Sequence, residues 1–160
     1  MSIREMRRKD RLLPHDETVE ILRKGEYGVL ATVCEDGMPY SIPISYAYDE
    51  DGNVIYMHCS NEGGQKIDNI SNSGKACLTV VLNTVLMPDK FATKYWSANA
   101  LGVVRIVDDA GEKRRGIEAI LRKYAAAFEE KGMAYIDGAI DRIYVLALEV
   151  EQLSGKARKK

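Results

Sequence analysis

The tract His58 to Asp68, reading HCSNEGGQKID, gathers several chemically capable side chains into a short span. A strand ending at His58, Cys59 and Ser60 runs into the pair Gly63 and Gly64, and a helix then opens with Gln65 and Lys66. A helix start exposes backbone N–H groups at the positive end of its dipole, which favours an anion. Lys66 puts a cation in the first turn and Ser60 offers a hydroxyl, so the tract suits a phosphate. The same residues also suit an ordinary strand-to-helix connection. By itself the tract leaves both readings open.

His58 is the one histidine outside the entrance of the opening helix. It can touch a cofactor or substrate and tune protonation, or sit half-buried with a backbone partner. Upstream, Pro43 interrupts the strand PYSIPISYAY at Ser41-Ile42-Pro43-Ile44-Ser45. Proline removes one ladder donor and belongs at an edge or a bulge. It either protects an edge or leaves nearby N–H and C=O groups free to bond a planar heterocycle such as a flavin ring.

These residues need elements to hold them. Pro14, His15 and Asp16 read as a helix entrance, Glu17 to Lys24 as a short helix, and Gly25 as its stop. Strands are expected at Tyr27 to Cys34, Pro39 to Tyr48 and Val54 to Cys59, joined by turns at Asp36-Gly37 and Asp51-Gly52. Gln65 to Asn72 is a helix with Ile67 and Ile70 on one face, closed by Gly74. Strands follow at Lys75 to Leu82, at Tyr95 to Val107 with a bend or bulge at Gly102, and at Ile143 to Val150. Residues Asn83 to Lys94, which contain Pro88, read as a loop. Glu112 to Lys131 reads as one long helix capped by Gly132. Six strands in hairpins exclude a doubly wound α/β fold and point to an antiparallel barrel with peripheral helices. Tyr46, Tyr48 and Tyr56 are expected in its wall.

Composition narrows the function. The chain has 160 residues, 46% hydrophobic and 29% charged, which suits one domain over 1–160. A net charge of -1 argues against a general nucleic-acid or anionic-membrane binder. Basic residues collect in 1–13 and 155–160, read as solvated, partly mobile ends. No run is apolar enough to span a bilayer and the start is charged rather than signal-like, so a cytoplasmic protein is expected. Cys34, Cys59 and Cys77 form no CxxC and are expected as buried, reduced thiols. Two histidines without an acidic or cysteine cluster predict no metal site. GxSxG, P-loop and GxGxxG motifs are absent.

The succession YGVLAT, DGMPYSIPISYAYD and DGNVIYMHCSNEGGQKIDNI resembles the pyridoxamine 5′-phosphate oxidase-like FMN-binding split-barrel superfamily. Within it, the likeness is to the nitroimidazole-resistance group, whose N-terminal signature REMRRKDRLL resembles. The segment YWSANALGVVRIVDD and the late helix extend the likeness over nearly the whole chain. Each motif is loose, and their order and spacing are what is specific. The resemblance implies a mostly β, six-stranded split barrel, and a homodimer with FMN held between subunits. It matches Lys66 and Ser60 to the phosphate tract, and Pro43, Ile44 and Ser45 to the strand beside the flavin ring. It also matches Tyr95, Trp96 and Ser97 to a segment that reaches a flavin, including one in the partner subunit. Relatives often read Gly-His-Lys where this chain has Gly64-Gln65-Lys66, so no role of that histidine carries over. Gln65 can still donate a hydrogen bond, but it does not titrate.

The expected activity is an FMN-dependent oxidoreductase that takes electrons from NADH or NADPH and passes them to a small aromatic acceptor. No acid–base residue is assigned. Two alternatives remain: a flavin-binding protein without turnover, and haem on the same barrel with His58 as axial ligand. Pyridoxamine phosphate oxidation is disfavoured, because basic residues for a second phosphate-bearing ligand are not evident.

Overall fold

The computed structural model describes residues 4–160; residues 1–3 of the basic N-terminal end lie outside them. Eight strands are present: β1 (Leu12–Leu13), β2 (Gly28–Val33), β3 (Pro39–Ile44), β4 (Tyr46–Asp49), β5 (Val54–Ser60), β6 (Lys75–Met87), β7 (Ala92–Ile106) and β8 (Ile143–Arg158). The helices are α1 (His15–Lys24), α2 (Gln65–Asn72), α3 (Ala110–Ala125) and α4 (Glu129–Ala139).

All pairings are antiparallel and follow the order β3-β2-β6-β7-β8-β5-β4, with β1 paired to β8. The two ends of this order, β3 and β4, are one chain segment broken only at Ser45. Its first half pairs with β2 and its second half with β5, so the sheet curls into a split barrel. Sequence predicted six strands; the split at Ser45 and the addition of β1 make eight.

The interior is apolar and closely packed. Leu30, Tyr46, Ile55, Met57, Leu78, Val80, Leu146 and Leu148 are fully buried in it. Helix α1 contributes Ile21 and Leu22, and α2 contributes Ile67 and Ile70. A second cluster joins Tyr56, Val145 and Ala147 of the barrel's outer side to Ile117 and Ile120 of α3 and Ile136 of α4. The three tyrosines lie in the wall as expected: Tyr46 and Tyr56 are buried and Tyr48 is half-buried.

Several expectations are corrected. Residues Asn83 to Lys94 are not a loop. Strands β6 and β7 continue through them as a hairpin arm, turned by a 3-10 stretch at Pro88–Lys90. Met87 is the one residue of the arm that is buried, while Leu86 and Phe91 are largely exposed, so no hydrophobic period marks it. The long helix also breaks. After Ala125 a 3-10 turn at Ala126–Phe128 folds α4 back against α3. Gly132 is therefore no cap; it lies inside α4, where a Cβ would collide with Leu121 of α3. Arg122 with Glu129, and Arg114 with Asp137, bridge the helical hairpin.

The basic C-terminal segment, read as a solvated end, is strand through Arg158, which pairs with Tyr95. The cysteines are free but half-buried rather than buried. Gly102 does sit at a bulge, where a Cβ would land on the Glu149 carbonyl. Among the described residues, no helix is long and apolar enough to cross a membrane.

Candidate functional site

Helix α2 begins where β5 leaves the barrel wall. Gly63 and Gly64 have φ of 96° and 115°, a region that L side chains rarely adopt. A Cβ on either would meet nothing within 4 Å, so the loop is open on its outer side. Gly64 accepts the first helical bonds, from the amides of Ile67 at 2.8 Å and Asp68 at 3.2 Å. The amides of Gln65 and Lys66 ahead of them have no backbone partner among the described residues. No side chain caps this helix start.

Lys66 is half-buried, and among the described residues no carboxylate pairs with it. Burial raises the Cys59 thiol above its ordinary pKa, and the Lys66 charge offsets part of that rise. Ser60 is exposed on the same loop and accepts a bond from the Glu62 amide at 3.2 Å, leaving its hydroxyl proton to give. One cation, two open amides and a hydroxyl suit a phosphate dianion.

A chain of hydrogen bonds links this helix to β3. The Gln65 side-chain Nε2 donates to Asn69 Oδ1 at 2.8 Å, and buried Asn69 donates to Thr32 Oγ1 at 2.9 Å. Thr32 reaches the Tyr40 carbonyl of β3 at 3.5 Å, at the limit of a bond. Strand β3 pairs on one side only, so its other edge is free from Pro39 to Ile44. Pro43 stays in the ladder opposite Val29, and the break falls two residues later at Ser45. Past the break, the Tyr46 amide donates to the Tyr124 hydroxyl of α3 at 3.0 Å. The start of α2 and the free strand edge are thus held in one frame.

The family profile described as "Pyridoxamine 5′-phosphate oxidase" matches residues 14–157. The chain belongs to this family. Its fold is shared with solved structures at low identity. A protein described as a candidate 5-nitroimidazole antibiotic resistance protein, from Bacteroides thetaiotaomicron, superposes with a TM-score of 0.77 at 23% identity. That match covers 91% of this chain and 86% of the other. An FAD-binding protein from Mesorhizobium loti gives 0.65 at 21% identity, over 93% and 98% of the two chains. The FAD and haem binding protein of Mycobacterium smegmatis gives 0.74 at 18% identity, over 92% and 72%. A comparison with curated proteins finds no match.

In this pyridoxamine 5′-phosphate oxidase family member, the expected site residues divide into three groups. Ser60, Gln65 and Lys66 share the start of α2, and Pro43, Ile44 and Ser45 share the free edge and its break. Gln65 is exposed and its side chain bonds Asn69, so one of its donors already has a partner. His58 does not join them. It shares its side of β5 with Tyr56, facing α3 and α4, while Met57 and Cys59 face the barrel interior.

Tyr95, Trp96 and Ser97 lie together on β7, apart from Lys66 on α2. Trp96 packs against the core, and Ser97 donates to the Lys156 carbonyl at 3.2 Å. Burial alone would raise the Tyr95 phenol, but hydrogen bonds from Lys156 and Arg11 carry it below its ordinary pKa. Sequence reasoning passed over Thr32, Asn69, Tyr124 and Lys123. Only the spacing of Asn69 from Gln65, one helical turn, offered a signal. Among the described residues, no group of His, Cys, Asp and Glu is placed to hold a metal ion.

Proposed function

We propose that this protein binds FMN and acts as an NAD(P)H-dependent oxidoreductase on a small aromatic acceptor. The observation that carries the reading is half-buried Lys66 beside two open amides and a glycine-opened loop, framed with the free edge of β3. FMN, when bound, supplies hydride acceptance and electron delivery. Lys66, Ser60 and the α2 amides would hold its phosphate. The backbone of Pro43, Ile44 and Ser45 would lie beside its ring. Flavin binding in the fold neighbours named above supports the same cofactor class, and membership of this family supports the choice.

The protein also works, in this reading, as a homodimer. Val29, Val33, Val81 and Val103 point outward from the sheet and stay exposed, although they lie in strands whose inward residues are fully buried. With Leu86 and Phe91 of the hairpin arm they make a broad apolar surface that a second copy would cover. No residue of this chain is assigned as catalytic acid or base.

Purified protein titrated with FMN tests the binding, and anaerobic addition of NADH or NADPH tests the turnover. A flavin absorbance that bleaches with nicotinamide and recovers with a nitroaromatic is the expected result. Bound flavin that never bleaches would make the protein a carrier or sensor. Failure to retain flavin at all would end the reading.

A further inference from the structure

A concavity of about 510 Å³ opens between β5 and the α3–α4 hairpin, on the opposite side of β5 from Cys59. That volume suits a small-molecule site. Its walls are apolar, formed by Ile117 and Leu121 of α3 and by Phe128 and Tyr135, with His58 and Lys131 as the charge-capable groups. Among the described residues, no carboxylate lines it. Phe128 is 68% exposed and Tyr135 77% exposed, so two aromatic rings stand open to solvent at one place. Close contact of Gly132 with Leu121 holds the helical hairpin tight behind them.

We propose that this recess binds a flat, largely apolar molecule carrying one anionic group. Aromatic side chains supply faces for a planar body, and burial of that body against Ile117 and Leu121 supplies the driving force. Lys131 provides the only full positive charge in the lining, and with no competing carboxylate it selects an anion. His58 adds a hydrogen-bonding group on the strand side. Burial pushes its imidazole below the ordinary pKa, which favours the neutral ring with one donor and one acceptor. The site is separate from Lys66 and does not depend on the flavin reading.

Calorimetric titration of the full chain with anilinonaphthalene sulfonate, a flat apolar anion, tests the proposal, with neutral phenylnaphthylamine as the companion probe. Saturable binding of one sulfonate per chain is expected. Ala125→Trp fills the recess from α3 and should weaken both probes by about tenfold or more. Lys131→Glu should weaken the sulfonate by a similar factor and leave the neutral probe nearly unchanged. Circular dichroism and melting verify that each variant folds, and either variant alone decides. Absence of saturable binding, or equal affinity of wild type and Ala125→Trp, overturns the site. Equal losses of both probes in Lys131→Glu overturn the preference for an anion. Titration with haemin separates coordination from hydrogen bonding: a Soret shift lost in His58→Ala would make His58 a metal ligand and overturn its role here.

Discussion

The Lys123 ammonium sits 3.5 Å from the centre of the Tyr46 ring, and it donates to the Leu22 carbonyl at 3.3 Å. The Tyr46 hydroxyl donates to the same carbonyl at 2.7 Å, so both groups satisfy an otherwise open acceptor in the last turn of α1. Burial pushes the Lys123 amine down to about 8, against the favourable ring face and carbonyl. Its folded value then lies below the unfolded one of 10.5. The unfolded chain holds the proton longer, so this residue's contribution to stability rises with pH between about 8 and 10.5. Chemical denaturation across that window should show the wild type gaining on Lys123→Met. Parallel curves would mean that the ring and carbonyl cancel the burial cost.

Lys66→Met keeps the packing of the stem and removes the charge. A charge-assisted contact is worth about 1.5–3 kcal/mol, so FMN affinity should fall roughly tenfold to a hundredfold. Riboflavin, without the phosphate, should bind both proteins alike. If both flavins lose equally, Lys66 acts through folding or the ring and the phosphate assignment fails.

Asn69 is buried and joins Gln65 to Thr32, so its loss strands polar groups between α2 and β2. Asn69→Leu should lower stability by about 1–3 kcal/mol. Urea denaturation measures it, and an unchanged midpoint would show that water replaces the carboxamide.

Gly102 and Gly138 make a contrasting pair. A Cβ at Gly102 would land on the Glu149 carbonyl, and backbone must move to admit it. Gly102→Ala should cost about 3 kcal/mol or more. At Gly138, inside α4, a Cβ meets nothing within 4 Å, and Gly138→Ala should add about 0.5–1 kcal/mol. Thermal melts of both variants check the signs.

Phe91 holds a left-handed backbone, φ 48°, at 97% exposure. Such a residue costs the isolated chain roughly 1–2 kcal/mol in conformation while burying nothing. Phe91→Gly should therefore stabilise the protomer and weaken self-association. Sedimentation that shows equal dimer affinity would remove the hairpin arm from the interface.

Period-two and period-3.6 patterns made the barrel and the helix after β5 legible in the sequence. They stopped where burial stopped. The arm at 83–94 buries Met87 alone, so its strands left no alternating pattern. The Ala125-Ala126-Ala127 run carries no face, which hid the turn between α3 and α4. Lys66 was legible because glycine, helix start and cation follow one another along the chain. Strand alternation already puts His58 on the side of Tyr56 rather than Cys59. Tyr124 and Lys123 lie about eighty residues from Tyr46, and no local pattern reports a contact so distant.

Strand β8 lies between β5 and β7, yet residues 143–158 are translated after both. A nascent chain emerging from the ribosome therefore carries each of those strands with one hydrogen-bonding edge open until β8 clears the exit tunnel. Closure of the wall waits on β8. Until then, an open edge is exposed to pairing with another growing copy on the same message, and chaperone demand during synthesis should centre on that interval.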